Sequence, residues 1–212
     1  LDFPTGADVP ASGRHKELLV LLWQSVQAEL GNRALVASDM FLYWDPTDPK
    51  RCLAPDLAVR IGAPAETLEC WKTWERGAPH VGVEIVSRWD RSETRLEKTL
   101  ERYCQAGILE VVRFDPERQT SPVRLWDLFD GDLVERDLGD PEAYRCDALA
   151  LYWCVRQHPR FGPMLRLARD AKGERVLPTP WEAEDAAVAA KDIALAELAA
   201  ARARIAELEK GR

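Results

Sequence analysis

The stretch Pro79-His80-Val81-Gly82-Val83-Glu84-Ile85-Val86-Ser87 is an apolar run that carries one carboxylate, Glu84. Its β-branched residues predict a buried central strand. A carboxylate in such a strand costs several kcal/mol of desolvation unless it has a partner. A basic side chain or a divalent cation therefore has to neutralise Glu84.

A second apolar run lies upstream, Pro55-Asp56-Leu57-Ala58-Val59-Arg60-Ile61, and opens with Asp56. Taken alone, an Asp that follows Pro favours a turn cap. A second carboxylate on a strand next to that of Glu84 favours a cation instead, because Mg²⁺ takes one or two carboxylates plus water. Such an ion polarises a phosphoryl oxygen and activates water. The pair of runs thus indicates phosphodiester hydrolysis.

The bulk composition limits the class of protein. With 212 residues of which 46% are hydrophobic, the chain is large enough for one domain with a core and an appendage. No apolar run approaches the ~20 residues of a membrane span, and residues 1–12 lack the features of a signal peptide. We expect a cytoplasmic protein that does not contact membranes. Because the net charge is -7, any contact with a nucleic-acid backbone has to be local.

The periodicity predicts a domain over residues 13–176 that alternates helices and strands. Its first part contains a helix over Arg14 to Leu30, a strand over Ala34 to Trp44, the strand after Asp56, a loop or short helix over Gly62 to Pro79, and the strand of Glu84. Its second part contains a helix opened by Asp90 and Glu93 in capping-box spacing, a strand over Ile108 to Phe114, a hairpin around Asp130-Gly131, and two marginal strands over Ala148 to Val155 and Met164 to Ala168.

The two ends of the chain have a different composition. Residues 1–12 contain Pro4, Gly6 and Pro10 and predict an extended arm. Two prolines within Leu177-Pro178-Thr179-Pro180 predict a linker over residues 177–181. Residues 182–212 are almost entirely Ala, Glu, Lys, Arg and Leu, a composition that predicts a helix.

The C-terminal helix has a weak heptad pattern. Position a is occupied by Lys191, Leu198 and Ile205, and position d by Ala194, Ala201 and Leu208. Alanines make this seam weak. Two interpretations are open: a single helix packed on its own domain, or a coiled coil that pairs chains.

Taken together, these features resemble the Uma-type restriction endonucleases, a branch of the PD-(D/E)XK nuclease superfamily common in bacteria. The resemblance runs from His15 to Ala168. It is carried by Pro55-Asp56, Trp71 to Gly77, Val83-Glu84-Ile85-Val86-Ser87 with Asp90, the helix of Lys98, Tyr103 to Gly107, and Glu110-Val111-Val112-Arg113-Phe114-Asp115.

This resemblance implies an α/β fold: an α-β-β-β-α-β core with a mixed central sheet, here with added antiparallel strands and a C-terminal helix. It also implies a Mg²⁺ (or Mn²⁺) site with Asp56, Glu84 and Ile85 as metal ligands, and DNA as the substrate. A homodimer fits this activity, since cutting both strands needs two sites.

The lysine of the family motif is displaced in this chain. The superfamily has it two residues after the acid, a position that is Val86 here. In the Uma-type branch it lies on the following helix, four residues before the tyrosine, and that position is Thr99 here, beside Lys98. We assign Lys98 as the helper of the general base. At 100° per residue, however, Lys98 points away from the apolar stripe of Leu96, Leu100 and Tyr103, as a solvated lysine would.

Four further residues are accessory candidates. His15 and Glu17 start the first helix and face either the pocket or solvent. Ser87 either hydrogen-bonds the site or caps a turn, and Asp90 belongs to the family pattern. A set of basic residues near the Lys98 helix either faces a phosphate backbone or pairs with Glu93, Glu97 and Glu101. This set is Arg88, Arg91, Arg95, Lys98 and Arg102.

The sequence leaves three functions open. The first is a Mg²⁺-dependent DNA endonuclease with Asp56, Glu84 and Lys98 at its centre. The second is a catalytically inactive nuclease fold that acts through its C-terminal helix by oligomerisation or partner binding. The displaced lysine and the acidic net charge favour this second function. Hydrolysis of RNA or nucleotides by the same site is the third.

Overall fold

The computed structural model describes residues 13–87, 91–139 and 142–210. The chain divides into two compact units, one ending at Leu177 and the other comprising Pro178–Arg212. The predicted N-terminal arm over residues 1–12 lies outside the described residues.

The helices are α1 (Gly13–Leu30), α2 (Thr73–Arg76), α3 (Glu93–Gln105) and α4 (Pro180–Lys210), and a short 3₁₀ helix spans Gly31–Arg33. The strands are β1 (Ala34–Ser38), β2 (Leu42–Tyr43), β3 (Cys52–Leu53), β4 (Leu57–Ile61), β5 (Trp71–Lys72), β6 (Val81–Ile85), β7 (Glu110–Phe114), β8 (Val123–Phe129), β9 (Asp132–Glu135), β10 (Ala143–Cys146), β11 (Leu151–His158) and β12 (Gly162–Ala168).

A six-stranded mixed sheet forms the centre of the first unit, in the order β1-β4-β6-β7-β8-β9. Strands β6 and β7 run parallel, and the other neighbours are antiparallel. Together with α1 and α3, strands β1, β4, β6 and β7 give the expected α-β-β-β-α-β core. The predicted hairpin is confirmed: β8 and β9 lie at the sheet edge and join at Asp130 and Gly131, whose φ angles are 50° and 89°.

The alternation of side chains along β6 separates two hydrophobic cores. Val81, Val83 and Ile85 pack into the core that contains the buried face of α1. The opposite face is covered by α3, which contributes Tyr103 to the second core. Glu84 lies on this α3 face, because successive strand residues point to opposite sides of a sheet.

The prediction of a single strand over Ala34 to Trp44 is wrong. The structure has two strands there, β1 in the central sheet and β2 in a small sheet of order β3-β2-β5. Asp39 lies between them with a φ of 50°, a left-handed conformation that interrupts the extended chain. Asp adopts the left-handed conformation more readily than most residues, but the presence of an Asp in a sequence does not by itself predict that conformation.

The three strands β10, β11 and β12 form a separate antiparallel sheet. The sequence predicted two of them as marginal additions, but Trp153, Met164 and Leu167 are part of the main core with α1. Strand β10 was not predicted. Only Ala143 and Cys146, the first and last of its four residues, are buried, so the strand lacks the alternation of apolar and polar residues that predicts a strand.

Helix α4 begins at a reciprocal cap. The hydroxyl of Thr179 accepts the N–H of Glu182 at 3.3 Å, and Glu182 Oε2 accepts the N–H of Thr179 at 2.7 Å. This is a capping box, and Pro180 fits the first helical position because it needs no hydrogen bond there. Among the described residues, no helix has both the length and the apolar character needed to cross a membrane.

Candidate active site

Asp56 and Glu84 are neighbours across β4 and β6. The antiparallel register pairs Leu57 with Val83 and Ala58 with Gly82, so the next step brings Asp56, immediately before β4, opposite Glu84. Glu84 points to the face covered by α3, and the negative charges of both Glu84 and Asp56 act on Tyr103 of that helix. The structure thus brings together the two carboxylates that the sequence singled out.

The Asp56 carboxylate is held from two sides. Its Oδ2 accepts the main-chain N–H of Ile85 at 2.6 Å, and its Oδ1 lies 2.9 Å from Nε2 of His15 on α1. An ionised carboxylate only accepts hydrogen bonds, so Nε2 of His15 is the donor. Only 12% of the His15 side chain and 14% of the Asp56 side chain are exposed. His15 therefore lies beside Asp56, which is one of the two positions that the sequence left open for it.

The Glu84 carboxylate is held by helix α3. The hydroxyl of Tyr103 donates a 2.5 Å hydrogen bond to Glu84 Oε1. Burial raises the pKa of Tyr103 well above its usual value, and the negative charges of Glu84 and Asp56 raise it further. The phenol therefore stays neutral and remains a donor. The tyrosine ring has room because residue 82 is glycine: a Cβ there would lie 2.4 Å from Tyr103 Cε1.

A cleft of about 370 Å³ opens beside Glu84, between α3 and the neighbouring strands. Its charged lining consists of one carboxylate and four cations, namely Glu84, Arg95, Lys98, Arg102 and Arg113. The cleft is thus locally basic in a chain whose net charge is -7. Asp56 is not among the lining residues, since its oxygens face Ile85 and His15.

Lys98 is exposed and lies on the wall of this cleft, together with Thr99. It also lines a second hollow of about 330 Å³ on the same helix. Leu96 and Leu100, whose stripe Lys98 was expected to face away from, line the first cleft as well. The spacing of 100° per residue predicted that Lys98 faces away from Leu96 and Leu100. All three residues nevertheless line the same cleft, because the cleft extends along the side of α3.

Arg113 is a site residue that the sequence analysis did not single out. It lies beside Glu84 in the parallel pairing of β6 and β7, and it lines the cleft. Burial lowers the pKa of its guanidinium, while the negative charges of Glu93, Asp115 and Glu84 partly offset this effect. The signal in the sequence is the β-α-β connection around α3, which predicts parallel neighbours without giving their register.

The remaining predicted residues are placed as follows. Glu17 forms an ion pair with Arg160 at 3.3 Å and does not line the cleft. Ser87 is buried two residues after β6 ends at Ile85. Asp90 lies outside the described residues, and α3 begins at Glu93 after Ser92.

The basic residues that were predicted near the Lys98 helix differ in whether they form ion pairs. Arg91 pairs with Asp115 at 3.2 Å and with Glu117 at 2.6 Å, rather than with an acid of α3. Lys98 and Arg102 form no ion pair with any residue that the structure describes. Arg88 belongs to the segment that is not described.

The donors at this site fit a hard divalent cation in type. Two carboxylates lie opposite each other on neighbouring strands, and Mg²⁺ accepts one or two carboxylates with waters completing its shell. Within the described part of the chain, no three His, Cys, Asp or Glu side chains form a ready cluster. A metal ion here would thus use Asp56 and Glu84, with main-chain or water oxygens for the rest.

A family model and a solved structure match this chain. Residues 7–153 match the model of the Uma2 family, described as "Putative restriction endonuclease". A solved structure, titled a "putative nuclease belonging to DUF820" from Anabaena variabilis, is 18% identical with a TM-score of 0.48. The match covers 66% of this chain and 75% of that one. No curated protein matches. Since the family model covers more than half of the 212 residues, the chain belongs to the Uma2 family.

Proposed function

We propose that this chain is a divalent-metal-dependent endonuclease that hydrolyses phosphodiester bonds in DNA, with Mg²⁺ or Mn²⁺ as the ion. The observation that carries the proposal is the register that brings Asp56 opposite Glu84, which lines a cleft together with four cations. Carboxylates that bind a metal and cations that bind phosphate are the two requirements of such a reaction.

The protein groups around the carboxylates fix their orientation. The N–H of Ile85 and Nε2 of His15 hold Asp56, and the hydroxyl of Tyr103 holds Glu84. Such outer partners keep ligands in place and reduce the reorganisation that binding would otherwise require. When bound, the ion supplies Lewis-acid charge that polarises the phosphodiester and favours attack by water.

The cations of the cleft bind and stabilise the substrate. The side chains of Arg95, Lys98, Arg102 and Arg113 neutralise phosphate charge, and fixed cations near the scissile group stabilise the charge that develops on it. Lys98 is the ammonium group assigned to assist deprotonation of the attacking water. The cleft also localises DNA contact in an otherwise acidic protein, as the net charge of -7 requires.

A second candidate is a nuclease fold without catalysis. One observation favours it: both oxygens of Asp56 already accept protein hydrogen bonds, so an ion has to share them. This alternative predicts no cleavage and no binding of Mn²⁺ by the wild-type chain.

The test is nicking of supercoiled plasmid DNA with Mg²⁺ or Mn²⁺. We expect Asp56→Asn and Glu84→Gln to lower the rate by about 100-fold or more, since even changes behind a metal ligand cost about 10–100-fold. Asp147→Asn is the matched control, because Asp147 is 78% exposed and pairs with Arg145 on β10. Equal nicking by wild type, Asp56→Asn and Glu84→Gln would refute the proposed site. A parallel assay on single-stranded RNA separates the two substrates.

A further inference from the structure

Helix α4 carries a row of exposed apolar side chains. None of its residues is buried. Five large aliphatic residues lie 7, 3, 7 and 3 positions apart along it and are 48–68% exposed, namely Val188, Leu195, Leu198, Ile205 and Leu208. A continuous exposed apolar stripe indicates an interaction surface. One further aliphatic residue, Ile193, lies off this stripe.

The charged residues beside the stripe indicate which partner helix binds to it. With Leu198 and Ile205 at position a, Glu197 and Arg204 occupy position g, and Arg202 and Glu209 occupy position e. In a parallel coiled coil each g residue faces the e residue five positions further along the other helix. Glu197 then meets Arg202 of a second copy, and Arg204 meets Glu209, so both contacts join opposite charges.

An antiparallel pair of the same helices matches fewer charges. In an antiparallel pair, position g faces position g of the other copy, and position e faces position e. Glu197 then still meets Arg204 of the other copy. The other two charged residues lose their ionic partners, because Arg202 meets Leu195 and Glu209 meets Val188. Two copies in parallel make four attractive ionic contacts, whereas antiparallel copies make two. We propose that α4 associates in parallel and in register with α4 of a second copy of this chain. This inference does not depend on the proposed nuclease activity.

The seam predicts a weak but specific association. Alanines at positions 194 and 201 let the helices approach closely but bury little apolar area. Lys191 at position a faces its own copy, and a single polar residue at such a position selects register at a cost in stability.

Sedimentation equilibrium of the full chain over a range of concentrations tests the proposal. We expect twice the mass of one chain at high concentration, a shift to one chain in Ile205→Lys, and no shift in Ile193→Lys. This pair is matched, since the same change is made in one helix on and off the stripe. Circular dichroism shows whether helix content is retained. A single-chain mass for the wild type at every concentration, or an equal loss of mass in both variants, would overturn the proposal.

Charge exchange tests the parallel orientation. We expect Glu197→Arg to raise the dissociation constant by about tenfold, which corresponds to about 1.4 kcal/mol. Adding Arg202→Glu should restore association, because the contact between positions 197 and 202 is again attractive. Rescue by Arg204→Glu instead would mean that the helices run antiparallel.

Discussion

Tyr103 on α3 donates a 2.5 Å hydrogen bond to Glu84 on β6, and Gly82 leaves the space in which the tyrosine ring lies. A buried neutral phenol thus holds the carboxylate that opens onto the basic cleft. The helix that supplies Tyr103 also supplies Arg95, Lys98 and Arg102 to the cleft wall. The position of α3 on the sheet therefore sets both the orientation of Glu84 and the place of the cations.

Removal of the Tyr103 hydroxyl tests its role. In Tyr103→Phe the ring still fills the core, but Glu84 loses a donor. We expect the affinity for Mn²⁺ to fall by about 10–100-fold, as is usual when an outer partner of a ligand is removed. We also expect the free energy of unfolding to fall by about 1.5–3 kcal/mol, because the hydrogen bond involves a charged group.

Isothermal titration with Mn²⁺ and urea unfolding measure these two effects. Tyr43→Phe is the control, since the hydroxyl of Tyr43 has no hydrogen bond with any residue that the structure describes. Unchanged Mn²⁺ affinity in Tyr103→Phe would show that the phenol does not position a metal ligand.

Gly82→Ala probes the close approach of α3 to β6. The new methyl group would overlap the Tyr103 ring at 2.4 Å, so the ring or the helix has to move. We expect a loss of about 1–3 kcal/mol in the free energy of unfolding, the usual cost of overpacking a core. We expect weaker Mn²⁺ binding as well, because the hydroxyl leaves Glu84.

Gly13→Ala serves as the comparison in the same urea experiment. Gly13 is the first residue of α1, and a Cβ there meets nothing within 4 Å. Equal unfolding free energies for Gly82→Ala and wild type would argue against tight packing at this point.

Glu110 predicts a pH dependence of stability. Burial raises its pKa above 4.5, and this rise is partly offset by hydrogen bonds with Trp153 and Cys146 and by the charge of Arg136. The folded protein therefore binds the proton more tightly than the unfolded chain. The associated stability is present below pH 4.5 and is lost as the pH rises through the raised pKa. Glu110→Gln stays neutral, so we expect its stability to fall less between pH 4.5 and pH 7.

Glu135 should behave in the opposite way. Its hydrogen bond with Arg124 lowers its pKa, so its contribution is present above pH 4.5 and is lost as the pH falls through the lowered value. Urea unfolding across this pH range compares Glu135→Gln with Glu110→Gln. Identical pH profiles for the two variants would contradict both assignments.

Arg113 is expected to contact phosphate. Arg113→Gln removes one cation from the cleft without removing a metal ligand. We expect weaker DNA binding and a slope of log affinity against log salt that is smaller by about 1, the change for one lost phosphate contact. Arg145→Gln is the control, because Arg145 lies on β10 and pairs with Asp147. Fluorescence anisotropy in Ca²⁺ measures the slope, and an unchanged slope in Arg113→Gln would exclude such a contact.

The local sequence was enough to predict several elements and the principal acids. Several patterns lie within a few consecutive residues and are therefore visible in one sequence. They are the periodicity of α1, the turn at Asp130-Gly131 and the apolar runs of β4 and β6. The same holds for Glu84, because a carboxylate within a run of β-branched residues is costly wherever the strand lies.

Contacts between distant residues were decided by the tertiary structure alone. Strand register places Asp56 opposite Glu84 and Arg113 beside it, and a shift of one residue would turn each side chain to the other face. The sequence likewise predicted β11 and β12 as marginal strands, whereas in the folded chain both contribute residues to the main core. Such pairings depend on the packing of whole elements, which no local pattern specifies; the residue types at the site were evident from the sequence, and their partners were not.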